Sequence, residues 1–345
     1  MGVKMDGRKL KILAAVVDEY IVTGEPVGSK AVMKYITASS ATIRNEMAEL
    51  EKQGYLEQPH TSAGRIPTYS GYRIYVDDLM ERSPLTAEEQ TLVESMLPQA
   101  SFNEQEIVQS ASLALAELTK CAAVVAHSTP KFSVISKVEV IPTGKRMYVI
   151  LLVTSSGSVK NRVCRLSFDL TTEQLAFFSN FVKQNLEGIA LEKLSDDLCT
   201  RLEEALGTYM MTLSPLVDEI YRMSREMTGE DISLKGELNL LKTGEFDQNE
   251  IIRFLDNKSL LNQFLDSSFG GIHVMFSEET DSFIINNSSL ITSTYSRGGM
   301  PAGTLGLIGP MRLDYAKFIP YLEYFTQKIT ELLSEPEQDD TDHQS

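Results

Sequence analysis

The chain has 345 residues, with 48 acidic and 32 basic side chains and a net charge of −16. It contains no apolar run of about eighteen residues, which a membrane helix would need, and its first residues lack the apolar core of a secretory signal. The three cysteines, Cys121, Cys164 and Cys199, are too few and too dispersed for a disulfide framework. We therefore expect a cytoplasmic protein of two or three domains.

The charge is unevenly distributed along the chain. Residues 1–82 contain 11 basic and 11 acidic side chains, so the remaining residues carry the whole negative balance. A neutral module can bind nucleic acid if its basic groups share one face. The acidic composition therefore does not exclude a DNA-binding function for the N-terminal region.

Residues 1–82 are predicted to form a winged helix-turn-helix DNA-binding domain. Ile43, Met47 and Leu50 recur at helical spacing, and Gly54 suits the position just after a helix. The predicted order is three helices, two short strands and a further helix, which is typical of this domain. These elements span residues 6–23, 28–35, 41–53, 55–58, 65–68 and 70–82.

The third predicted helix carries the candidate base-reading residues. With Ile43 and Met47 buried, its opposite face presents Arg44, Asn45 and Lys52. Arginine and asparagine can read guanine and adenine edges with paired hydrogen bonds. Ser40 and Thr42 lie at the N-terminal edge of the helix, where a DNA contact is also predicted. The alternative interpretation is an ordinary solvated helix face.

The turn between the two predicted strands is the second candidate contact. His60, Thr61, Ser62 and Arg65 can donate hydrogen bonds to phosphate. Gly64 permits a positive φ and a close approach of the backbone to DNA. The alternative is a hairpin turn without a partner, for which serine and glycine are common.

The rest of the chain predicts an α/β domain interrupted by a helical insertion. A linker helix is expected over 83–102. The strands predicted before the insertion, near 122–168, are expected to pair with those predicted after it, near 272–309. The interrupted domain is assigned to 103–190 and 269–334, the mainly helical insertion to 191–268, and a disordered acidic tail to 335–345. The predicted class is therefore α+β and multidomain.

Three segments resemble the HrcA family, the heat-inducible transcription repressors of bacteria. They are SSATIRNEMAELEKQGYLEQPHTSAGRIPTYSGYRIYVD at 39–77, LITSTYSRGG at 290–299 and GTLGLIGPMRLDYAKFIPYL at 303–322. The resemblance implies a winged helix, a GAF-like domain and an inserted dimerisation domain. It also implies a homodimer that represses chaperone operons at an inverted-repeat operator in double-stranded DNA, and whose folding depends on chaperonin.

No enzymatic activity, cofactor or metal is predicted. The four histidines, His60, His127, His273 and His343, are dispersed, and the cysteines have no partner at metal-ligand spacing. The glycine-rich GTLGLIGP matches neither the dinucleotide-binding nor the P-loop motif. Two alternatives to a folding-controlled repressor remain: a repressor whose GAF-like domain senses a metabolite, and a ligand-binding enzyme with an accessory DNA module.

Overall fold

A computed structural model describes most of the chain, namely residues 6–60, 63–98, 104–127, 133–155, 157–228, 231–257, 260–261, 264–265, 270–279 and 285–334. The helices are α1 (Gly7–Thr23), α2 (Ser29–Val32), α3 (Ser40–Lys52), α4 (Tyr69–Ile74), α5 (Ala87–Met96), α6 (Glu104–Thr119), α7 (Thr172–Leu186), α8 (Asp196–Met210), α9 (Ser214–Thr228), α10 (Glu237–Lys242), α11 (Gln248–Asp256) and α12 (Tyr315–Ser334). The strands are β1 (Leu56–Glu57), β2 (Ile66–Pro67), β3 (Ala122–His127), β4 (Ile135–Gly144), β5 (Met147–Thr154), β6 (Val159–Arg165), β7 (Asp231–Lys235), β8 (Ile272–Phe276), β9 (Ser288–Arg297) and β10 (Met300–Pro310). This mixture of helices and strands confirms the α+β class.

The chain divides into two compact units. The first comprises residues 1–125, 233–300 and 304–345, and the second comprises 126–232 with 301–303. These limits differ from the predicted insertion at 191–268. The second unit starts earlier because β4, β5 and β6 form their own sheet with the helices that follow them.

The first unit contains a five-stranded sheet in the order β7-β3-β10-β9-β8. Strand β8 lies at one edge and pairs antiparallel with β9, with Ile272 opposite Ser293. Helix α12 packs on β9 and on α6. Strand β7 was not predicted, because its five residues fall inside a region whose surrounding sequence has a helical pattern.

The second unit contains a three-stranded antiparallel sheet in the order β4-β5-β6. The expectation that all strands near 122–168 pair with those near 272–309 is therefore wrong for β4, β5 and β6, and it holds only for β3, which neighbours β10. The three strands pair locally because a short turn, with Arg146 at positive φ, joins β4 to β5. Helices α7 and α9 cover one face of this sheet.

The first elements of the chain form what we call the N-terminal module, residues 6–79. Helices α1, α2 and α3 are followed by the β1-β2 hairpin and by α4, in the predicted order. The last helix ends earlier than predicted. After Ile74 it widens into one π-helical turn over Tyr75–Leu79, and Met80 has extended backbone. No helix within the described part of the chain is long and apolar enough to cross a membrane.

Candidate nucleic-acid interface

Helix α3 is held in the N-terminal module by one apolar side. Its buried residues follow the helical period and pack against α1. The buried side chains are Ile12, Leu13, Val16 and Val17 on α1 and Ile43, Met47 and Leu50 on α3. The opposite side of α3 therefore faces outward.

The outward side, here called the α3 face, consists of Ala41, Arg44, Asn45, Ala48 and Lys52. All are exposed except Ala48, which is half-buried. Among the described residues, the side chains of Arg44, Asn45 and Lys52 have no hydrogen-bond or ion-pair partner. Two small residues and three unengaged donors thus share one accessible surface, and their contact with base edges stays a prediction.

The acidic residues of α3 are each paired with a cation from another element. Glu46 accepts from Arg8 at 2.6 Å, and Glu49 lies 2.5 Å from the ammonium of Lys9. The hydrogen bond from Lys9 lowers the pKa of the Glu49 carboxyl. These pairs offset the negative charge of Glu46 and Glu49 on the sides of α3.

The start of α3 is fixed by hydroxyl groups. The Ser39 side chain caps the helix by accepting from the backbone N–H of Thr42 at 3.1 Å. The hydroxyls of Ser39 and Thr42 are also 2.8 Å apart, and that of Ser40 lies 2.9 Å from that of Ser29 on α2. Ser40 therefore joins the two helices, and Thr42 belongs to the cap.

The hairpin places its predicted contacts differently. His60 is exposed, whereas Thr61 and Ser62 lie outside the described residues. Arg65 was expected in the turn as a phosphate donor, but its side chain is only 13% exposed and is ion-paired with Glu51 of α3 at 2.8 Å. Its backbone also pairs with Val27 in both directions at 2.9 Å. Arg65 therefore anchors the hairpin to the rest of the module.

Glycine at two positions, one in the hairpin and one on α4, lets the backbone pack closely within the module. A Cβ atom on Gly64 would lie 2.4 Å from the carbonyl oxygen of Val27, and one on Gly71 would lie 2.2 Å from that of Tyr55. Gly64 was expected to allow a close approach to DNA. The backbone that it approaches is the protein's own, so its role here is in packing.

The structure adds two cations that the sequence did not single out. In the described part of residues 6–82, four basic side chains lack a carboxylate within 4.0 Å; they are Lys11, Lys30, Arg44 and Lys52. Lys11 and Lys30 are both exposed. Nothing in the local sequence distinguishes them from Lys9 and Lys34, whose partners Glu49 and Glu19 come from elsewhere in the chain.

The described residues offer little for other chemistry. No group of three or more histidine, cysteine, aspartate or glutamate side chains among them is arranged to hold a metal ion. The three cysteines are free thiols, and burial raises the pKa of Cys121 to about 12, so that this thiol is a poor nucleophile at neutral pH.

The chain matches known repressors along nearly its whole length. A family model of the HrcA C-terminal domain matches residues 105–319. The heat-inducible transcription repressor HrcA of Acetivibrio thermocellus is 34% identical over 95% of this chain and 96% of its own. That of Ruminiclostridium cellulolyticum is 34% identical over 95% and 97%. A crystal structure of a hypothetical protein at 2.2 Å resolution is similar with a TM-score of 0.68 and 25% identity, over 96% of this chain and 99% of that one.

These relatives define a class of protein, the transcription repressors. Within that class the chain belongs to the HrcA family of heat-inducible transcription repressors. The resemblance drawn from the three sequence segments is thereby confirmed.

Proposed function

We propose that this protein represses heat-shock chaperone operons by binding an inverted-repeat operator in double-stranded DNA as a homodimer. In this proposal the N-terminal module is a winged helix-turn-helix whose α3 enters the major groove, and the interrupted sheet domain is GAF-like. One observation carries the proposal. The α3 face presents Arg44, Asn45 and Lys52 without partners in the described structure, while Arg8 and Lys9 neutralise Glu46 and Glu49 beside it.

The charge pattern suits a phosphate backbone on either side of the groove. Lys30 on α2 and Lys52 at the C-terminal end of α3 are exposed and belong to different elements. Phosphate contacts from such lysines would position the module, while Arg44 and Asn45 would read base edges. We also propose that His60, Thr61 and Ser62 of the hairpin contact the DNA phosphate backbone. Arg65 would act indirectly, by holding that hairpin.

The proposed dimer draws support from the second unit. Its sheet buries Tyr148, Ile150 and Leu152 on one side. The other side, here called the outer sheet face, carries Ile141, Val149 and Val163 in one cross-strand row and Val153 beside Val159 in another. Leu151 lies between these rows, with Glu139 and Asn161 as its cross-strand neighbours. Val159 and Val163 are 60% and 57% exposed. The exposed aliphatic rows on this face would be stabilised by burial against a partner, and a second copy of the chain would supply one.

Dependence on chaperonin draws support from the sheet topology of the first unit. Strand β3 at 122–127 lies beside β10 at 300–310, and the second unit is inserted between them in the sequence. Such non-local pairing is slow and exposes apolar surface until it is complete. Heat would divert chaperonin to other unfolded chains, the amount of active repressor would fall, and its operons would be released. This mechanism places the protein in the cytoplasm.

Two measurements test the proposal. The first is binding of the full chain to the inverted repeat upstream of the organism's own chaperonin operon, compared with a scrambled duplex of equal length; equal affinity for both would contradict it. The second is operator binding after heating and cooling, with and without chaperonin and ATP. Full recovery without chaperonin would contradict the folding-controlled mechanism while leaving operator binding intact.

A further inference from the structure

A cavity of about 510 Å³ lies where the end of the N-terminal module meets the edge of the five-stranded sheet. One wall is formed by residues between Arg73 and Arg82, and the other is strand β8. Ile319 of α12 also lines it. Its volume is within the range of small-molecule sites, which commonly occur where two structural parts meet.

Much of this cavity is aliphatic. Val76 contributes from the module and Met80 from just beyond its end, and Ile272 and Ile319 contribute from the sheet and from α12. Val76, Met80 and Ile272 are all half-buried, so each keeps apolar surface open to a bound molecule. These side chains favour a ligand with a flexible hydrocarbon body.

The polar groups at the cavity differ in how firmly they are held. Arg73 donates to the carboxylate of Glu279 and, at 2.9 Å, to the carbonyl of Val274, and it also lies over the ring of Phe276. Its second carboxylate neighbour, Asp77, is itself on the cavity wall. Arg73 and Asp77 are therefore occupied by structural contacts.

Arg82 is held much more loosely. It pairs with Glu323 at 2.6 Å, and the two side chains are 51% and 42% exposed. An ion pair this exposed contributes little to stability, because water solvates both charges. The guanidinium of Arg82 can thus exchange Glu323 for another carboxylate at small cost, and it can bind that group with two parallel hydrogen bonds.

We propose that this cavity is a binding site for a small aliphatic carboxylate, whose carboxyl group pairs with Arg82 and whose chain lies along Val76, Met80, Ile272 and Ile319. The ligand would contact both the segment that follows the hairpin and the edge of the sheet. Its binding would stabilise the present arrangement of these two parts. The proposal concerns binding alone and does not depend on the DNA-binding function.

The test is titration calorimetry of the full chain with octanoate, with octanamide as the uncharged control of the same length. Octanoate is expected to bind and octanamide to bind at least tenfold more weakly, since a charge-assisted hydrogen bond is lost. Arg82→Gln should weaken octanoate by roughly tenfold. Arg222→Gln, an exposed arginine paired with Glu219 in the second unit, is the matched control and should leave binding unchanged.

Two further variants separate this site from non-specific binding. Glu323→Gln removes the carboxylate that competes for Arg82, so octanoate should bind more tightly than to the unmodified chain. Val76→Trp should fill the cavity and abolish binding, whereas Val22→Trp, at a position 82% exposed on α1, should not. Absence of octanoate binding, equal affinity for octanamide, or identical behaviour of the Arg82 and Arg222 variants would overturn the proposal.

Discussion

Arg65 of the hairpin and Glu51 of α3 are joined by one hydrogen bond and one ion-pair contact to the same carboxylate oxygen. The Nη2 and Nε atoms of Arg65 lie 2.8 Å and 2.9 Å from Oε2 of Glu51. Because Glu51 is two turns along α3 from Arg44, this contact ties the hairpin to the same helix that carries the α3 face. The hairpin and α3 are therefore expected to move as one body.

Removing this contact should reduce stability as well as DNA affinity. Arg65→Ala leaves the Glu51 carboxylate without its donor, and we expect a loss of about 1–3 kcal/mol in the free energy of unfolding. Urea denaturation measures it. In a double-mutant cycle with Glu51→Gln, the two changes should be clearly non-additive. Additive effects would show that the two side chains do not depend on one another.

Arg44→Ala and Asn45→Ala should weaken operator binding without affecting stability. Each side chain is exposed and makes no described contact within the protein, so its loss costs nothing in folding. If both read base edges, each change should cost about 1–3 kcal/mol per half-site and relax base preference there. Fluorescence anisotropy with substituted operators measures both effects. The control is Arg201→Ala, which changes an exposed arginine on α8 and should behave like the unmodified protein. Normal affinity and base selectivity in both α3 variants would show that this helix does not bind in the major groove.

Lys30→Gln and Lys52→Gln should lower affinity for specific and random DNA alike. Each lysine has no partner in the described structure, so its ammonium can neutralise a DNA phosphate and release the counterions bound there. Each change should therefore reduce the magnitude of the slope of log affinity against log salt concentration by about 0.9 per lost contact. The matched control is Lys34→Gln, whose ammonium is already bound to Glu19 at 2.9 Å. The same measurement at several salt concentrations compares all three. If Lys34→Gln lowers the slope as much as the others, pairing does not decide which lysines contact DNA.

Alanine at Gly64 or Gly71 should destabilise the N-terminal module strongly. The added Cβ atoms would lie 2.4 Å and 2.2 Å from backbone oxygens, which cannot rotate away as a side chain could. A loss of about 2 kcal/mol or more in unfolding free energy is expected from this overpacking. Gly28→Ala is the matched control, because nothing lies within 4 Å of its Cβ position. Thermal unfolding followed by circular dichroism compares the three variants; equal melting temperatures would mean that the hairpin moves to make room.

If the protein dimerises through the outer sheet face, as proposed, aspartate there should convert the dimer to a monomer. Val159→Asp and Val163→Asp place a charge on an exposed apolar surface, which costs little in the monomer but cannot be buried unpaired in an interface. Sedimentation velocity reports the oligomeric state, and the monomer should bind an inverted repeat more weakly because it loses the avidity of two linked modules. Val22→Asp, on α1, is the control. A dimer that persists in both variants would place the interface elsewhere.

The sequence by itself determined the order of elements in the N-terminal module and the outward side of α3. Both follow from local chemistry. The spacing of Ile43, Met47 and Leu50 selects a helix and its buried side, and the residues opposite must then face outward. The family also followed from the sequence, since the three matching segments carry it without reference to any fold.

Only the tertiary structure decided which charges are free and where the units begin. Lys30 and Lys34 are alike as sequence, but Glu19, far along α1, reaches only Lys34. By sequence alone, Arg65 is likewise available to bind phosphate, but in the structure it is paired with Glu51. Strand β7 lies beside β3 in the five-stranded sheet, although its sequence pattern is too short to predict a strand. Ion pairs and strand neighbours depend on residues distant in the chain, so their outcome is settled by folding and not by local propensity.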